Sequence, residues 1–288
     1  MLKSYIFLIF GVLALSLSSL FIHWAQAPGI ITSFYRMTFA TLILLPILFK
    51  MHRGNYRFDK KYLIFPIIAG VFTALDHAFW STSINFTKIA NATLFNNISP
   101  IWVSLFGFIF LNERFQKKYY FGLFATITGV IIIYGANLIS QSSLSIGDGL
   151  AIISSIFYAG YFIVTQKGRK HYNTLFYLFV VQLTAAITLL FTAKLNSFPI
   201  IGYSSVDYLI FLGAAVISQI GGYYSISYAL GKLPASFVSP TMVAQPLITS
   251  LLAIPLANEL LVINQIIGGI LILIGIFLIN YRQNKNNS

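Results

Sequence analysis

Cysteine is absent from this chain, and charged residues are scarce. The 288 residues include no cysteine and only six acids, and 8% of the chain is charged. Without cysteine, disulfide bonds and thiolate metal sites are excluded. A soluble domain carries about 25% charged residues, whereas this chain is 58% hydrophobic. The composition therefore predicts an integral membrane protein with no room for a separate soluble domain.

The motifs of ATP-driven pumps and of common hydrolases are also missing. The sequence contains no G-x-x-x-x-G-K-[ST] phosphate-binding loop and no H-E-x-x-H motif. Its four histidines lie in different segments rather than at metal-ligand spacing. No serine nucleophile motif stands out either. We therefore predict that the protein is not an enzyme, and that it has no catalytic residue, no cofactor and no metal site.

Long apolar runs recur along the whole chain. Each is about 20 residues long, enough to cross ~30 Å of hydrocarbon as a helix. The first run, Leu2–Ile22, is longer than the apolar region of a signal peptide, which has about 7–15 residues, so it is interpreted as a transmembrane helix. Turn-forming residues and charge clusters predict an all-α fold of ten transmembrane helices, at residues 4–23, 30–49, 62–84, 90–111, 118–136, 148–166, 173–193, 207–229, 236–256 and 263–281.

Basic residues gather in alternate loops, and lysine and arginine in loops set the orientation of a membrane protein. Only Lys88 and Lys194 fall in the other loops. The bias predicts a multi-pass protein of the inner (plasma) membrane with both termini in the cytoplasm. It also accounts for the net charge of +12 through anionic lipid rather than nucleic acid. The basic residues of the predicted cytoplasmic side are Lys3, Lys50, Arg53, Arg57, Lys60, Lys61, Arg114, Lys117, Lys118, Lys167, Arg169, Lys170, Lys232, Arg282 and Lys285.

The chain contains a weak internal repeat. Residues 83–113 resemble residues 227–259, and single matches continue on both sides. The repeat predicts one five-helix unit at 1–137, a second at 146–282, and a short cytoplasmic tail at 283–288. Because five is odd, the second unit must enter the membrane inverted. The matched pairs are Gly11 with Gly147, Ser18-Ser19 with Ser154-Ser155, Ser83 with Ser227, Lys88 with Lys232, Pro100 with Pro246, Asn112-Glu113 with Asn258-Glu259, Gly122 with Gly268, and Gly129 with Gly275.

This pattern resembles the EamA-type exporters of the drug/metabolite transporter superfamily. The resemblance lies in Arg36, Ser99-Pro100, Leu111-Asn112-Glu113 and the partial echoes Gln245-Pro246 and Ala257-Asn258-Glu259, together with the number of helices and the repeat. It implies a ten-helix carrier that moves amino acids, metabolites or toxic compounds, often outward, without hydrolysing ATP. The sequence departs from the family pattern at Asp76-His77, where apolar or small residues are more usual.

Polar residues from three predicted helices fall in one layer of the membrane. At 1.5 Å per helical residue, Asp76 lies ~12 Å below the outer surface, Arg36 roughly 9 Å and Asn96 and Asn97 about 9–10 Å. Charged groups inside a membrane face the bundle interior and are functional candidates by default. Three roles stay open: a structural Arg36–Asp76 ion pair, direct contact with a substrate, or proton exchange at Asp76 or His77.

Aromatic residues with a polar group are further candidates for a substrate cavity. Trp80 lies one helical turn after Asp76, and Tyr158, Tyr161, Tyr223 and Gln245 lie on faces that also carry small and hydroxyl residues. Such residues would suit a mid-sized organic solute. The same stripes are also typical of plain helix packing in lipid.

Two prolines lie near the middle of predicted spans. Pro100 and Pro246 each remove one backbone hydrogen bond and favour a kink. A kink can serve as a flexing point for gating or as a static bend. The glycine pairs Gly122/Gly129 and Gly268/Gly275 are interpreted as faces of close helix packing.

Inverted repeats are characteristic of secondary transporters, whose substrate site lies between the two halves. The sequence therefore favours a carrier of small organic solutes, with lipid as its solvent and protons as a candidate coupling ion. A passive channel and an intramembrane enzyme that uses Asp76 and His77 are the alternatives. Amino acids, amines and drug-like cations fit the predicted lining equally well, and the sequence makes no prediction of oligomeric state.

Overall fold

The computed structural model describes residues 2–51, 59–135, 145–257 and 263–280, and all regular secondary structure in these ranges is helical. Some sequence-based predictions concern residues outside them: the second Asn258-Glu259 motif, the loop cations Arg53 and Arg57, and the tail with Arg282 and Lys285.

The helices follow one another with short connections. In chain order they are α1 Leu2–Ser16, α2 Ser18–Trp24, α3 Gly29–Met51, a 3-10 turn Lys60–Tyr62, α4 Ile64–Ser83, α5 Ile89–Asn96, α6 Ser99–Leu111, α7 Lys117–Tyr134, α8 Ile146–Gly168, α9 Thr174–Leu195, α10 Ser205–Ala214, a π-helix Ala215–Gly222, α11 Tyr223–Leu230, α12 Ala235–Met242, α13 Gln245–Ala257 and α14 Ile263–Asn280.

Seven stretches of the described residues are long and apolar enough to cross a membrane, and Ile263–Ile279 is a shorter apolar helix. The segments predicted as transmembrane helices are mostly helical where they are described, with short interruptions. Large apolar side chains point outward from the bundle; Phe124, for example, is 73% exposed. A soluble protein rarely exposes such continuous apolar surface. The protein is an all-helical, multi-pass membrane protein. The seven long stretches are Leu2–Ile22, Gly29–Lys50, Lys60–Ser83, Asn91–Leu111, Ile146–Gly168, Thr174–Leu195 and Ser205–Leu230.

Two predicted helices are interrupted just before a proline. The segment predicted at 90–111 is divided into α5 and α6, and the segment at 236–256 into α12 and α13. Pro100 and Pro246 are each the second residue of the new helix. A proline in the first turn of a helix leaves no lost hydrogen bond, because that amide has no intrahelical partner. The predicted kink is therefore a complete break with a fresh helix start.

The eighth predicted transmembrane helix, at residues 207–229, contains a π-helix that the sequence pattern did not indicate. Between α10 and α11 the chain forms a π-helix over Ala215–Gly222. π-Helical turns are rare and often lie at functional sites. Here the segment precedes Tyr223, which lines the cavity described below.

Helices α7 and α14 cross through glycines, as predicted. A Cβ on Gly129 would come within 2.5 Å of the Gly268 carbonyl oxygen, and a Cβ on Gly122 within 2.7 Å of the Gly275 oxygen. The pairing of early with late residues makes the two helices antiparallel. Only glycine allows the two backbones to approach this closely.

The remaining helix contacts have a regular order. Helix α4 packs on α8, and α1 packs on the π-helix and α11. Helix α3 packs on α9, and α7 on α14. Every one of these pairs joins residues 2–135 to residues 145–280, so the two parts of the chain share one interface along the bundle.

Candidate functional site

A cavity of about 440 Å³ lies between the two parts of the chain. This volume falls within the range of about 300–1,000 Å³ that is typical of sites for small molecules. Its lining extends to Ile22, Ile89 and Tyr134, which lie at helix ends on one side of the bundle. On the other side the lining ends near Ser239.

Most of the residues predicted to line a substrate cavity are in its wall. Four belong to the predicted polar layer, so the shared depth did bring these side chains together. The predicted residues found in the wall are Arg36, Asp76, His77, Trp80, Asn96, Asn97, Tyr158, Tyr223, Gln245 and Pro246. Wall residues that the sequence did not single out for the cavity include Leu15, Ser18, Ile22, Ser239, Val243 and Tyr134.

Arg36 is buried in the wall with its guanidinium held by neutral groups. Its Nη1 donates to Ser18 Oγ at 2.6 Å, and its Nη2 lies 2.8 Å from His77 Nε2 and 3.1 Å from Nδ1. A guanidinium only donates hydrogen bonds, so the imidazole must accept with an unprotonated nitrogen. Arg36 Nε is buried and has no hydrogen-bond partner among the described residues.

Asp76 is held by Ser154 and Asn96 rather than by Arg36. Its Oδ1 accepts from Ser154 Oγ at 2.6 Å and from Asn96 Nδ2 at 3.0 Å. Within the described chain, neither Arg36 nor any other cation forms an ion pair with it. Of the three roles left open by the sequence, the structural Arg36–Asp76 ion pair is not formed among the described residues, because polar neighbours from α2, α4, α5 and α8 separately bind each group. Asp76 Oδ2 has no hydrogen-bond partner among the described residues.

Ser18 and Ser154 complete this polar group. The sequence did not indicate that they would bind Arg36 and Asp76. Ser18 binds the cation and Ser154 binds the anion. The signal that could have found them was the repeat, in which Ser18 and Ser154 are matched positions. The repeat matches these two positions but does not by itself indicate the groups that they bind.

Aromatic rings form the wall deeper in the bundle. Tyr158 and Tyr223 line the cavity, whereas the predicted Tyr161 lies outside its wall. Tyr161 is fully buried behind Tyr223, with ring centres 5.6 Å apart, and its hydroxyl lies 3.2 Å from Ser227 Oγ. It belongs to the packed region next to the cavity.

Three more predicted residues differ in their surroundings. Asn97 lines the cavity, but its amide donates to Thr93 O of the same helix at 2.8 Å. Pro246 is in the wall and Pro100 is not. Pro100 is buried at the start of α6, where it acts on the helix break rather than on the cavity surface.

The side of the bundle opposite the cavity is closed by two contacts between the two parts of the chain and by one contact within residues 145–257. Gln166 Oε1 accepts from the amide of Ala235 at 2.5 Å, and Gln166 Nε2 lies 3.5 Å from Glu113 Oε1. Tyr119 donates to the Ser236 carbonyl at 3.1 Å. We call these five residues the closed end.

The fold and this cavity define a multi-pass membrane protein with a site of small-molecule size between the two parts of the chain, lined by apolar side chains and a few polar ones. Its sequence matches the EamA-like transporter family over residues 2–135 and 145–281. These segments cover almost the whole chain. The protein therefore belongs to the EamA-like transporter family.

Curated relatives carry names that agree with this family. The pseudopaline exporter CntI of Pseudomonas aeruginosa is 24% identical over 75% of this chain and 74% of its own length. An uncharacterized transporter of Archaeoglobus fulgidus is 24% identical over 88% of both chains. Human solute carrier family 35 member G1 is 27% identical over 75% of this chain and 61% of its own length. These relatives are named as transporters rather than as enzymes.

A solved crystal structure has the same fold. It superimposes with a TM-score of 0.81 over 98% of both chains, at 14% sequence identity. At that identity the likeness concerns the fold alone.

Proposed function

We propose that this protein is a secondary-active transporter that exports or exchanges small organic metabolites, such as amino acids or related amines. The observation that carries the proposal is the cavity of about 440 Å³ between two halves, which reaches helix ends on one side only. A carrier needs such a one-sided site, because its two halves must expose the solute to one side at a time.

The proposal includes ten membrane spans in two inverted units. Three observations support it. The family match occurs in two segments of similar length. The breaks before Pro100 and Pro246 fall at matched positions. In the α7–α14 crossing, Gly122 meets Gly275 and Gly129 meets Gly268, which is the reciprocal contact expected when a two-fold axis relates two helices.

In this arrangement the cavity faces outward and the closed end faces the cytoplasm. The bias of loop cations supports that orientation, with both termini inside and the protein in the inner membrane. Outward release of solute also agrees with the name of the Pseudomonas relative, which is an exporter. Opening of the closed end would follow loss of the Gln166, Glu113 and Tyr119 contacts, with the helix breaks at Pro100 and Pro246 as flexing points.

Counterflow in proteoliposomes tests the transport function. Vesicles loaded with an unlabelled solute should accumulate the labelled solute through a carrier, and the initial rate should saturate. A passive channel, the main alternative, produces neither saturation nor accumulation. An enzyme would alter the solute chemically, which mass spectrometry of the recovered solute detects.

Proton coupling is tested at Asp76, which lines the cavity beside Ser154 and Asn96. If protons drive transport through this carboxyl, Asp76→Asn should abolish accumulation driven by a pH gradient but leave exchange of bound solute measurable. If gradient-driven accumulation in Asp76→Asn equals that of the wild type, the coupling role of Asp76 is wrong.

A further inference from the structure

Arg36 is a buried cation that forms no ion pair with a described residue. It is 1% exposed, and among the described residues its guanidinium contacts only the neutral groups of Ser18 and His77. Asp76 is near enough to interact with its charge, but no direct contact joins the two groups. A charged group inside a membrane bundle normally pairs with an opposite charge, so the guanidinium can take a further anionic partner.

The free donors of Arg36 fit an anion. A guanidinium has five N–H groups in a planar fork that matches a carboxylate, and Ser18 and His77 engage only Nη1 and Nη2. The Nε–H is buried and has no acceptor in the described part of the protein, so it does not face the cavity. Ser18 and His77 fix the side chain through two contacts, which prepares the remaining Nη donors for a ligand.

Asp76 offers the opposite charge elsewhere on the same wall. Ser154 and Asn96 both donate to its Oδ1, and Oδ2 has no partner among the described residues. The cavity wall thus contains one anionic and one cationic group that form no direct ion pair with each other. A solute that carries both charges can neutralise both groups.

We propose that Arg36 is the carboxylate-binding residue of this cavity and Asp76 the residue that binds an ammonium group, so that the transporter selects zwitterionic solutes. Trp80, Tyr158 and Tyr223 then contact the rest of the solute. The inference rests on the proposed transport function, and it assigns polarity and specificity within that site. A simple amine would leave Arg36 unpaired and is repelled by it, and a simple acid would leave Asp76 unpaired.

Ligand binding to the purified protein tests this assignment apart from transport. The probes are the common L-amino acids, each with its decarboxylated amine and its deaminated acid. A ligand that prefers the native state raises the apparent melting temperature. At least one amino acid should raise it, and the two truncated analogues should bind at least about tenfold more weakly, because each leaves one buried charge unpaired. A truncated analogue that binds as tightly as its amino acid would overturn the proposal, as would failure of every amino acid to bind.

Substitutions at the two charges give opposite signatures. Arg36→Gln should weaken the amino acid at least about tenfold and strengthen its amine analogue, because the repulsion from the cation is gone. Asp76→Asn should weaken the amino acid and strengthen the acid analogue. Arg36→Lys, which keeps the charge, should retain the preference for a carboxylate. A merely structural Arg36 would weaken all three probes equally and would contradict the assignment.

Thr38→Val is the matched control. Thr38 lies on the same helix as Arg36 but outside the cavity wall, and its hydroxyl bonds to Phe34 O of its own helix at 2.8 Å. Its variant should bind all three probes within about twofold of the wild type, since no charge is removed. Failure of the Arg36 assignment can be distinguished from failure of the transport function. Saturable counterflow of a solute without a carboxylate would support the transport function and refute the role of Arg36.

Discussion

The two halves of the bundle each bury a polar contact between corresponding helices, but only one of these contacts is charged. In the first half Arg36 of α3 meets His77 of α4. In the second half Gln182 of α9 donates to Gln219 of the π-helix at 3.1 Å. Both glutamines are fully buried, and neither lines the cavity.

The difference separates a structural contact from a functional one. Two amides can stay inside a membrane protein at modest cost, although Gln182 Oε1 and Gln219 Nε2 lack partners within the described residues. A guanidinium that forms no ion pair with a described residue is far more costly there, and the zwitterion binding proposed above would compensate for it. Under that proposal the Arg36 contact serves ligand binding, and the Gln182–Gln219 contact joins helices.

The largest effect on stability is expected when a positive charge is introduced at the polar contact of the second half. Gln182→Arg should destabilise the protein by at least ~3 kcal/mol, because the new cation is buried with no carboxylate beside it. Thermal unfolding in detergent measures the change. Leu195→Arg, the same substitution at an exposed helix end of α9, is the control and should change stability by less than about 0.5 kcal/mol. Equal stability of Gln182→Arg and the wild type would remove the contrast between the halves.

The next largest loss of stability is expected at the crossing of α7 and α14, where the glycines of both helices make similar contacts. Gly129→Ala and its counterpart Gly275→Ala should each cost about 1–3 kcal/mol of stability, because a Cβ overlaps the facing backbone. Thermal unfolding should give similar losses for both. Gly149→Ala, where a Cβ meets nothing within 4 Å, should cause no loss. A clear loss for only one of the two crossing glycines would contradict their equivalence.

Accessibility distinguishes the two polar contacts. The chain has no cysteine, so a single introduced thiol reports without background. Thr93→Cys, in the cavity wall of the first half, should react with a membrane-impermeant maleimide at least about tenfold faster than Ser218→Cys, since a thiol needs exposure to react. Ser218 is fully buried next to Gln219. Comparable labelling rates of the two thiols would contradict an accessible cavity on the side of the charged contact.

The smallest effect is expected when both amides are removed together. Gln182→Leu combined with Gln219→Leu should change stability by no more than about 1 kcal/mol, because both polar partners disappear at once. Counterflow by this variant should stay within about twofold of the wild type. Loss of counterflow in a folded double variant would give the second-half contact a functional role after all.

The sequence predicted the depth of each residue in the membrane better than the direction in which its side chain points. The shared layer of Arg36, Asp76 and Asn96 followed from counting residues along each helix, and Asn96 does reach Asp76. Tyr161 shows the limit of such counting, because it follows Tyr158 by less than one turn and yet lies behind the wall. Which face of a helix meets the cavity depends on its rotation, and that rotation is set by the packing of its neighbours.

Helix breaks could be predicted only in part. Pro100 and Pro246 gave a visible signal, since a missing amide favours a helix start. The π-helix over Ala215–Gly222 had none, because its composition suits an α-helix equally well. In the structure this segment contacts α1 and α3, and such contacts between distant parts of the chain are not visible in its sequence.

By itself, the sequence determined that the protein lies in a membrane and is built of helices, because hydropathy, proline and glycine act locally along the chain. Only the tertiary structure decided that Arg36 turns to Ser18 and His77 while Asp76 turns to Ser154 and Asn96. The attraction between opposite charges favours a direct pair, but partners from distant helices supply hydrogen bonds to each group separately. Which of these arrangements wins depends on the relative position of helices that lie far apart in the chain.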